Sequence, residues 1–230
     1  MTYSDQQVVS PCRRVGILGG GQLGRMLGLA GIPLGLDFVF LDPSADACAA
    51  VAGELLQADF SDENAARELA QRVDVASFDF ENVPAATASA LQESCAVHPS
   101  PFALGAGQDR LAEKELLVSL GIDVPPYHVV SSRTDLLEGL EKLGFPAVLK
   151  TRRLGYDGKG QVVLRDQEDL ERAWQKLGDF DLVLETFVPF QAECSLVAVR
   201  GQDGETRTWP LAKNVHLNGI LMLSMRWVFV

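Results

Sequence analysis

The sequence Val15-Gly-Ile-Leu-Gly-Gly-Gly-Gln-Leu-Gly24 decides the N-terminal fold, because an apolar run is followed at once by closely spaced glycines. Residues 15–18 predict a buried β-strand, and residues 22–30 predict a helix. Four apolar residues fall on one face of that helix: Leu23, Met26, Leu27 and Ala30. Residues 37–41 predict a second strand. Strand, glycine turn, helix and strand make a βαβ unit, and such units build parallel sheets.

A second helix and a further strand are predicted downstream of this unit. Residues 61–72 predict a helix with Ser61 as its N-cap and two acids in its first turn, and residues 73–80 predict a strand. The prolines of His98-Pro-Ser-Pro101 predict a break, because proline interrupts both helix and sheet. We therefore expect an α/β protein with two domains, residues 1–100 and residues 101–230.

The second half of the chain alternates predicted helices and strands of a different texture. Helices are predicted at 109–120, 134–143 and 167–176, strands at 127–130, 147–151, 161–164 and 182–185, and a hairpin around 201–204. A glycine-rich loop separates the two strands at 147–151 and 161–164. Neither internal repeats nor low-complexity segments occur.

Composition excludes several classes of function. The formal net charge of −11 over 230 residues disfavours binding to nucleic acid or to anionic membranes. The four cysteines and three histidines are scattered without zinc-ligand spacing, so we predict no metal site from them. The N-terminal stretch lacks the pattern of a signal peptide, and no apolar run is long enough for a membrane span. We expect a cytoplasmic protein.

The glycine turn, residues 19–24, fits the GxGxxG pattern between a strand and a helix. Its glycines allow backbone to approach a phosphate, and the helix N-terminus supplies N–H donors. Asp42 follows the second strand, where dinucleotide-binding folds keep an acid for a ribose hydroxyl. The pattern fits an NAD site, and it equally fits a tight turn that packs helix on strand. It indicates an anion without naming it.

A stronger signal is the segment from Lys150 to Gly160, which holds four basic residues and three glycines in eleven positions. A lysine at a strand end followed by a cationic glycine loop suits a polyphosphate, because the lysine neutralises it and the loop covers it. The spacing differs from the GxxxxGK[ST] of a P-loop. The alternative is a solvated basic hairpin, which leaves the glycines and flanking strands unexplained.

A third, weaker signal is the strand that ends at Glu185, with Glu193 shortly after it. A strand edge offers donors and acceptors to an adenine, and a nearby carboxylate can accept ribose hydroxyls. An acid after a strand is also common on ordinary surfaces.

Four motifs together resemble the N5-carboxyaminoimidazole ribonucleotide synthase family, also called the ATPase subunit of phosphoribosylaminoimidazole carboxylase. They are GGGQLGRM at 19–26, FENVP at 80–84, GYDGKGQ at 155–161 and PLAKNVHLNGIL at 210–221. The resemblance extends from about residue 14 to residue 221. It implies a Rossmann-like pre-ATP-grasp domain followed by an ATP-grasp domain.

The resemblance also implies roles for individual residues. Gly21, Gln22 and Leu23 would hold the ribonucleotide phosphate, with Glu81 near the same substrate. The ATP-binding set would be Arg110, Lys150, Gly155, Tyr156, Asp157, Gly158, Lys159, Gly160, Gln161, Glu185, Thr186, Phe187, Val188, Glu193 and His216. Within it, Arg110 and Lys150 would contact phosphates, Glu185 and Val188 the adenine through their backbones, and Glu193 the ribose. Residues 155–161 would form a lid, whose Tyr156 and Asp157 also face the aminoimidazole. Lys150 and His216 would be catalytic, with His216 near the transferred phosphate and bicarbonate.

The implied reaction is the ATP-dependent carboxylation of aminoimidazole ribonucleotide by bicarbonate, with Mg²⁺, in a homodimeric enzyme of purine biosynthesis. Two departures from the family stand out. Lys213 occupies a position that is often acidic or neutral, and the segment 222–230 does not resemble the family's continuation, which carries the Mg²⁺ carboxylates. We therefore expect an incomplete ATP-grasp domain, an inactive chain and a tail without a partner strand. The rival hypotheses are an NAD-dependent oxidoreductase and a non-catalytic nucleotide-binding remnant.

Overall fold

A computed structural model gives the structure of the protein and describes residues 12–155, 160–217 and 220–227. The chain divides into two compact units, Met1–Gln108 and Asp109–Val230. The predicted α/β class is confirmed by the element order and by the parallel sheet of the first unit. The predicted division after residue 100 stays a prediction; the helix Pro101–Gln108 lies in the first unit.

The first unit is built around a five-stranded parallel sheet with the strand order β3-β2-β1-β4-β5. Its strands are β1 (Arg14–Leu18), β2 (Asp37–Asp42), β3 (Glu54–Gln57), β4 (Val75–Phe78) and β5 (Ala96–Val97). Its α-helices are α1 (Gln22–Gly31), α2 (Glu63–Ala70), α3 (Ala85–Gln92) and α4 (Pro101–Gln108). Two short 3₁₀ helices, Ile32–Leu34 and Cys48–Val51, complete it.

Both faces of this sheet are covered, as a parallel sheet requires. Successive residues of β1 point to opposite faces: Leu18 packs into the core beneath α2 and α3, and Ile17 packs with Phe40 on the other side. Because β1 lies parallel to both β2 and β4, the loops that follow these three strands meet at one edge of the sheet. They bring Gly19, Asp42 and Asp79 together at that edge.

The predicted helix after β1 is confirmed, but its apolar face is not the face that packs. Leu23, Met26 and Leu27 are 50%, 64% and 45% exposed, and Ala30 is exposed as well. The buried face consists of the small residues Gly24, Gly28 and Gly31. A Cβ at Gly28 would lie 2.7 Å from the Ala52 Cβ, and one at Gly31 would lie 2.4 Å from the Phe38 ring. The glycines thus allow α1 to lie directly against its neighbours.

The N-cap of α2 is Asp62, so the prediction of Ser61 at that position is wrong. One Asp62 carboxylate oxygen accepts hydrogen bonds from Asn64 N at 2.9 Å and Ala65 N at 3.1 Å. Ser61 instead donates its hydroxyl to the Asp59 carboxylate. The turn closed by Asp62 N and Asp59 O places the aspartate, rather than the serine, at the helix N-terminus.

The second unit begins with α5 (Arg110–Ser119) and contains a four-stranded antiparallel sheet of order β6-β9-β7-β8. The strands are β6 (Tyr127–Val130), β7 (Ala147–Thr151), β8 (Gln161–Leu164) and β9 (Leu182–Thr186), and two further helices are α6 (Arg133–Leu143) and α7 (Asp169–Leu177). An apolar core that includes Leu149, Leu184 and Leu136 joins one face of the sheet to α6 and α7.

The rest of the unit is antiparallel strand. β10 (Glu193–Ser195), β13 (Ala212–Leu217) and β14 (Ile220–Arg226) form a sheet of order β10-β13-β14. β11 (Ala198–Arg200) and β12 (Thr206–Thr208) form the predicted hairpin. The expectation of a tail without a partner strand is wrong up to residue 226, because β14 pairs with β13 from Leu217↔Ile220 to Ala212↔Arg226. Among the described residues, no helix combines the length and the apolar character of a membrane span.

Candidate functional site

The second unit has a polar sheet face opposite the apolar core. Side chains alternate along a strand between the two faces of its sheet. Leu149 and Leu184 point into the core, so Lys150 and Glu185 point to the other face. The register places Glu185 directly opposite Tyr127 on β6 and opposite Val148 on β7. Lys150 is therefore the diagonal neighbour of Glu185, within reach of a long side chain.

On this face, Lys114, Lys150 and Glu185 form what we call the lysine–glutamate cluster. The Glu185 carboxylate accepts from Lys150 Nζ at 2.9 Å through Oε2 and from Lys114 Nζ at 3.2 Å through Oε1. Glu185 is 5% exposed and Lys114 is 8% exposed. Burial favours the protonated acid, but Lys150 and then Lys114 outweigh it and hold the pKa of Glu185 below its ordinary value.

The lysine–glutamate cluster holds two cations for one anion in a largely desolvated position. Excess buried charge is costly unless a counter-ion completes it, so the arrangement suits an anionic ligand. The sequence singled out Lys150 and Glu185 but not Lys114. The available signal was the spacing of Arg110 and Lys114, which lie one helical turn apart on α5 and so share a face.

The base of the glycine loop is fixed by hydrogen bonds and ion pairs. Thr151 N donates to Gly160 O at 2.8 Å, and Gln161 at the start of β8 is paired with Lys150. Arg110 N donates to Arg152 O at 3.0 Å, and Arg110 Nη2 reaches Gly155 O at 3.4 Å. The structure thus brings the predicted ATP residues Arg110, Gly155, Gly160 and Gln161 to the loop base. The predicted residues Tyr156, Asp157, Gly158 and Lys159 lie outside the described residues.

Two of the loop's basic residues, Arg152 and Arg153, pair with one carboxylate. The Asp109 carboxylate, 4% exposed, accepts from Arg152 Nε at 3.0 Å and Nη2 at 2.6 Å, and Arg153 Nε lies 3.4 Å away. Asp109 also caps α5 by accepting from Leu111 N at 2.9 Å. Burial alone would raise the pKa of Asp109, but the Arg152 hydrogen bonds, the Leu111 N–H and the charges of Arg152 and Arg153 together hold it below its ordinary value.

Two more predicted residues meet on the small sheet. His216 Nδ1 lies 2.8 Å from Glu193 Oε2, and both side chains are partly exposed. Beside them, Asn214 connects the three strands by donating to Ser195 Oγ at 3.1 Å and accepting from Ser224 Oγ at 2.6 Å. An imidazole oriented by a carboxylate can donate or accept at its other nitrogen. The sequence did not single out Asn214 or Ser224.

The segment after β9 leaves one backbone donor available. Thr186 N donates to Pro126 O at 2.9 Å and Phe187 N to Pro146 O at 3.1 Å. Val188 N makes no hydrogen bond with any described residue, and the Val188 side chain is 45% exposed. This N–H is free for the adenine contact that was predicted for Val188.

In the first unit, the predicted substrate residues line two cavities that share Asp79 and Phe80. One, of about 270 Å³, is lined by Gly19, Gly21, Gln22, Leu23, Asp42, Phe60, Asp79 and Phe80. The other, of about 340 Å³, is lined by Phe78, Asp79, Phe80, Glu81, Pro99, Ala103, Leu104 and Gly107. The glycine turn residues thus belong to the first cavity and Glu81 to the second.

Two carboxylates already occupy part of the glycine turn. Gly20 N donates to Asp42 at 2.7 Å, and Gly24 N donates to Asp79 at 3.0 Å. The backbone N–H groups of Gln22 and Leu23 have no acceptor within the described part of the chain, so they are the donors left for a phosphate. Burial, followed by the nearby Asp42 charge, raises the pKa of Asp79 above its ordinary value.

The position of Asp42 weighs against a dinucleotide site. Its second carboxylate oxygen accepts from Ser44 N at 2.9 Å, so both oxygens are engaged by backbone. A ribose hydroxyl would have to compete with these bonds. No group of three or more His, Cys, Asp or Glu that could hold a metal ion occurs within residues 12–155, 160–217 and 220–227.

Comparison with known proteins covers both units. Residues 12–108 match the ribonucleotide synthetase preATP-grasp domain, and residues 115–228 match the ATP-grasp domain. The N5-carboxyaminoimidazole ribonucleotide synthase of Pseudomonas aeruginosa is 51% identical over 212 residues, which is 92% of this chain and 59% of that protein. The chain therefore spans about three fifths of the length of that relative.

Two solved structures show the same fold. The N5-carboxyaminoimidazole ribonucleotide synthetase of Thermus thermophilus has a TM-score of 0.83 at 49% identity, covering 91% of this chain and 57% of that one. The N5-carboxyaminoimidazole synthase of Aspergillus clavatus, in complex with ADP and 5-aminoimidazole ribonucleotide, has a TM-score of 0.81 at 27% identity, covering 91% and 55%.

Proposed function

Because this chain belongs to the N5-carboxyaminoimidazole ribonucleotide synthase family of ATP-grasp proteins, we propose that it serves the ATP-dependent carboxylation of 5-aminoimidazole ribonucleotide by bicarbonate. The observation that carries the proposal is the lysine–glutamate cluster, a surplus of buried positive charge beside a glycine loop. The relatives' names supply the substrate, and the cluster supplies the reason that a polyphosphate would bind there.

In the proposed reaction, a bicarbonate oxygen attacks the γ-phosphorus of ATP and ADP leaves, which gives carboxyphosphate. The exocyclic amine of the ribonucleotide then takes the carboxyl group, from carboxyphosphate or from CO₂ released by it, and phosphate is freed. Phosphoryl transfer of this kind depends on positioning and electrostatic stabilisation more than on covalent chemistry by the protein. We assign Lys150 to the ATP phosphates and His216, oriented by Glu193, to the transferred group.

We assign the ribonucleotide to the first unit. Its phosphate would accept the N–H groups of Gln22 and Leu23, and its ribose and base would extend toward Glu81 through the two cavities that share Asp79 and Phe80. A helix N-terminus favours such an anion through its unpaired donors and its dipole. The Aspergillus clavatus relative was solved with this same ribonucleotide.

Three further elements of the proposal rest on the family alone. Mg²⁺ would neutralise the ATP phosphates, but we assign it no ligand and derive no step from it, because no carboxylate cluster among the described residues fits it. A homodimer and a cytoplasmic location are likewise proposed.

The test measures binding and turnover separately on the full chain. We expect calorimetry to detect binding of both ATP and the ribonucleotide. We expect Lys150→Ala to weaken the binding of ATP at least tenfold, which is a loss of roughly 1.4 kcal/mol of binding free energy. Lys176→Ala, on the exposed surface of α7, is the matched control and should bind ATP as the parent chain does.

Phosphate release that needs both bicarbonate and the ribonucleotide would establish the reaction for this chain. Binding of both nucleotides without phosphate release would make the chain a non-catalytic remnant. Tight binding of NAD without binding of the ribonucleotide would favour the oxidoreductase instead.

A further inference from the structure

We propose that Lys114 is a positioning residue for ATP: it holds one oxygen of Glu185, so that the other oxygen orients Lys150 without cancelling the charge that Lys150 offers to the phosphates. This inference rests on the proposed ATP site and assigns a role to a residue outside the predicted site set. Lys114 would touch no part of the ligand.

The geometry divides the lysine–glutamate cluster into an inner and an outer lysine. The side chain of Lys114 is 10% exposed, whereas that of Lys150 is 21% exposed and lies near the end of β7 beside the glycine loop. Lys114 Nζ lies 3.2 Å from the Glu185 carboxylate and 5.7 Å from the centre of the Tyr127 ring. A carboxylate and an aromatic ring, paired on the same sheet face, therefore both interact with this ammonium.

Glu185 is well suited to transmit an effect between the two lysines. It lies on β9, the strand between β6 and β7, and it pairs with Tyr127 and Val148 on either side. Each of its carboxylate oxygens is used by a different lysine. Moving or removing one lysine therefore changes the position and the charge that the other one experiences.

The charge count explains why two lysines are present. A single lysine would form a neutral pair with Glu185, and Lys150 would then meet a polyphosphate with most of its charge cancelled. With Lys114 added, the group carries one net positive charge, which a desolvated site makes available to an anion. The downward shift in the pKa of Glu185 agrees with a carboxylate that stays ionised between two cations.

A double-mutant cycle tests the proposal on the full chain, with ATP and adenosine as calorimetric probes. The variants are Lys114→Met, Lys150→Met and both together, and Lys142→Met, an exposed lysine of α6, is the control. We expect Lys114→Met to weaken the binding of ATP about tenfold. The binding of adenosine should weaken less than twofold, because adenosine carries no phosphate. We expect the double variant to bind ATP within about twofold of Lys150→Met alone.

Several outcomes would overturn the inference. Unchanged ATP affinity in Lys114→Met would remove any role for this lysine. If the double variant lost ATP affinity by the product of the two single losses, Lys114 would contact a phosphate directly. If Lys114→Met lost as much affinity for adenosine as for ATP, its role would be structural only. If Lys114→Met does not fold by circular dichroism, Lys114→Gln, which keeps a hydrogen-bond donor without the charge, gives the same comparisons.

The proposed function and this inference fail in different ways. A parent chain that binds no ATP would overturn both. ATP binding that depends on Lys150 and not on Lys114 would overturn only the positioning role.

Discussion

Two aspartates of the first unit, Asp79 and Asp74, have pKa values that their surroundings shift in opposite directions. Asp79 is part-buried, lies near Asp42 and has a raised pKa, chiefly because of burial. Asp74 is exposed, accepts from Arg13 N at 2.8 Å and Arg14 N at 2.9 Å, and has a lowered pKa. The folded chain therefore disfavours the charged form of Asp79 and favours the charged form of Asp74.

We expect Asp79→Asn to stabilise the chain at pH 7 relative to the parent. The folded state keeps the Asp79 proton to a higher pH than the unfolded state, whose carboxyl titrates near 3.8. Rising pH therefore lowers the free energy of unfolding between 3.8 and the raised pKa. The extra free energy of unfolding of Asp79→Asn over the parent should be absent below pH 3.8, grow between 3.8 and the raised pKa, and then stay constant. Urea unfolding at several pH values measures this difference.

Asp74→Asn is the control of opposite sign. The folded pKa of Asp74 is depressed, so its stabilising contribution is present above 3.8 and is lost as the pH falls through the lowered value. The variant should be less stable than the parent at pH 7 and indistinguishable from it in acid. If both variants shifted stability in the same direction at pH 7, the pKa directions would be wrong.

The glycine turn offers a second single-residue prediction. A Cβ at Gly21 meets only one atom within 4 Å, Asp79 Oδ2 at 3.8 Å, whereas a Cβ at Gly24 would lie 2.7 Å from Gly19 O. We expect Gly21→Val to keep the melting temperature and ATP affinity of the parent while abolishing ribonucleotide binding, because the new side chain enters the cavity. Gly24→Val should lower the melting temperature. Unimpaired ribonucleotide binding by Gly21→Val would contradict the assignment of this cavity.

The carboxylate of Asp109 connects the start of α5 to the residue that follows β7. Asp109 caps α5 and binds Arg152 through two hydrogen bonds, and Arg110 N bonds to Arg152 O. The helix that carries Lys114 and the loop that follows Lys150 therefore share one anchor. Any change of this anchor should alter both stability and the loop.

We expect Asp109→Ala to lower the free energy of unfolding by about 2 kcal/mol, since it removes a helix cap and leaves Arg152 without its partner. Glu171→Ala is the control: Glu171 pairs with Arg133 at 2.7 Å, but both side chains are more than half exposed. Such exposed pairs contribute little. Chemical unfolding of both variants makes the comparison, and equal losses would mean that burial of Asp109 is irrelevant.

The strands of the second unit show how far the sequence could predict the elements. The bounds of β6, β7 and β8 agree with the prediction because each apolar run begins directly after a proline or a glycine. α3 was missed because Ala85–Gln92 is a run of small residues without a clear apolar period, and its first residue follows Pro84. The apolar residues of α1 misled in another way, since the packing face of that helix consists of glycines.

The candidate site was predictable only in part, for a related physical reason. Lys150 and His216 were singled out from motifs, and Glu185 and Glu193 from a strand end; the structure pairs them as Lys150 with Glu185 and His216 with Glu193, and their roles stay predictions. Lys114 comes from a helix far before Lys150 in the chain, and a contact of that kind depends on how the helix packs on the sheet. The hydrogen bond from Gly20 N to Asp42 was hidden for the same reason, because it joins the ends of two neighbouring strands.

The whole chain consists of two compact units with separate apolar cores. The proposed ribonucleotide site lies in the first and the lysine–glutamate cluster in the second. A ligand stabilises only the cooperative unit that it binds, by about 2.7 kcal/mol when its concentration is a hundred times its dissociation constant.

We therefore expect two calorimetric transitions, one raised by the ribonucleotide and the other by ATP. Lys150→Ala should reduce the shift caused by ATP, by about half if the affinity falls tenfold, and leave the shift caused by the ribonucleotide intact. A single transition that both ligands raise would show instead that the two units unfold as one.

The glycine face of α1 has a consequence for how this protein responds to random mutation. α1 is 10 residues long, about 15 Å, and its first residues line the cavity proposed for the ribonucleotide. Gly28 and Gly31 lie at the other end and do not line that cavity. A methyl group at either position would force the helix to tilt, and the tilt would displace the N–H groups of Gln22 and Leu23. A genetic screen for lost activity would then score Gly28 and Gly31 as binding residues, although neither lines the cavity and each would act only by moving the N-terminus of α1.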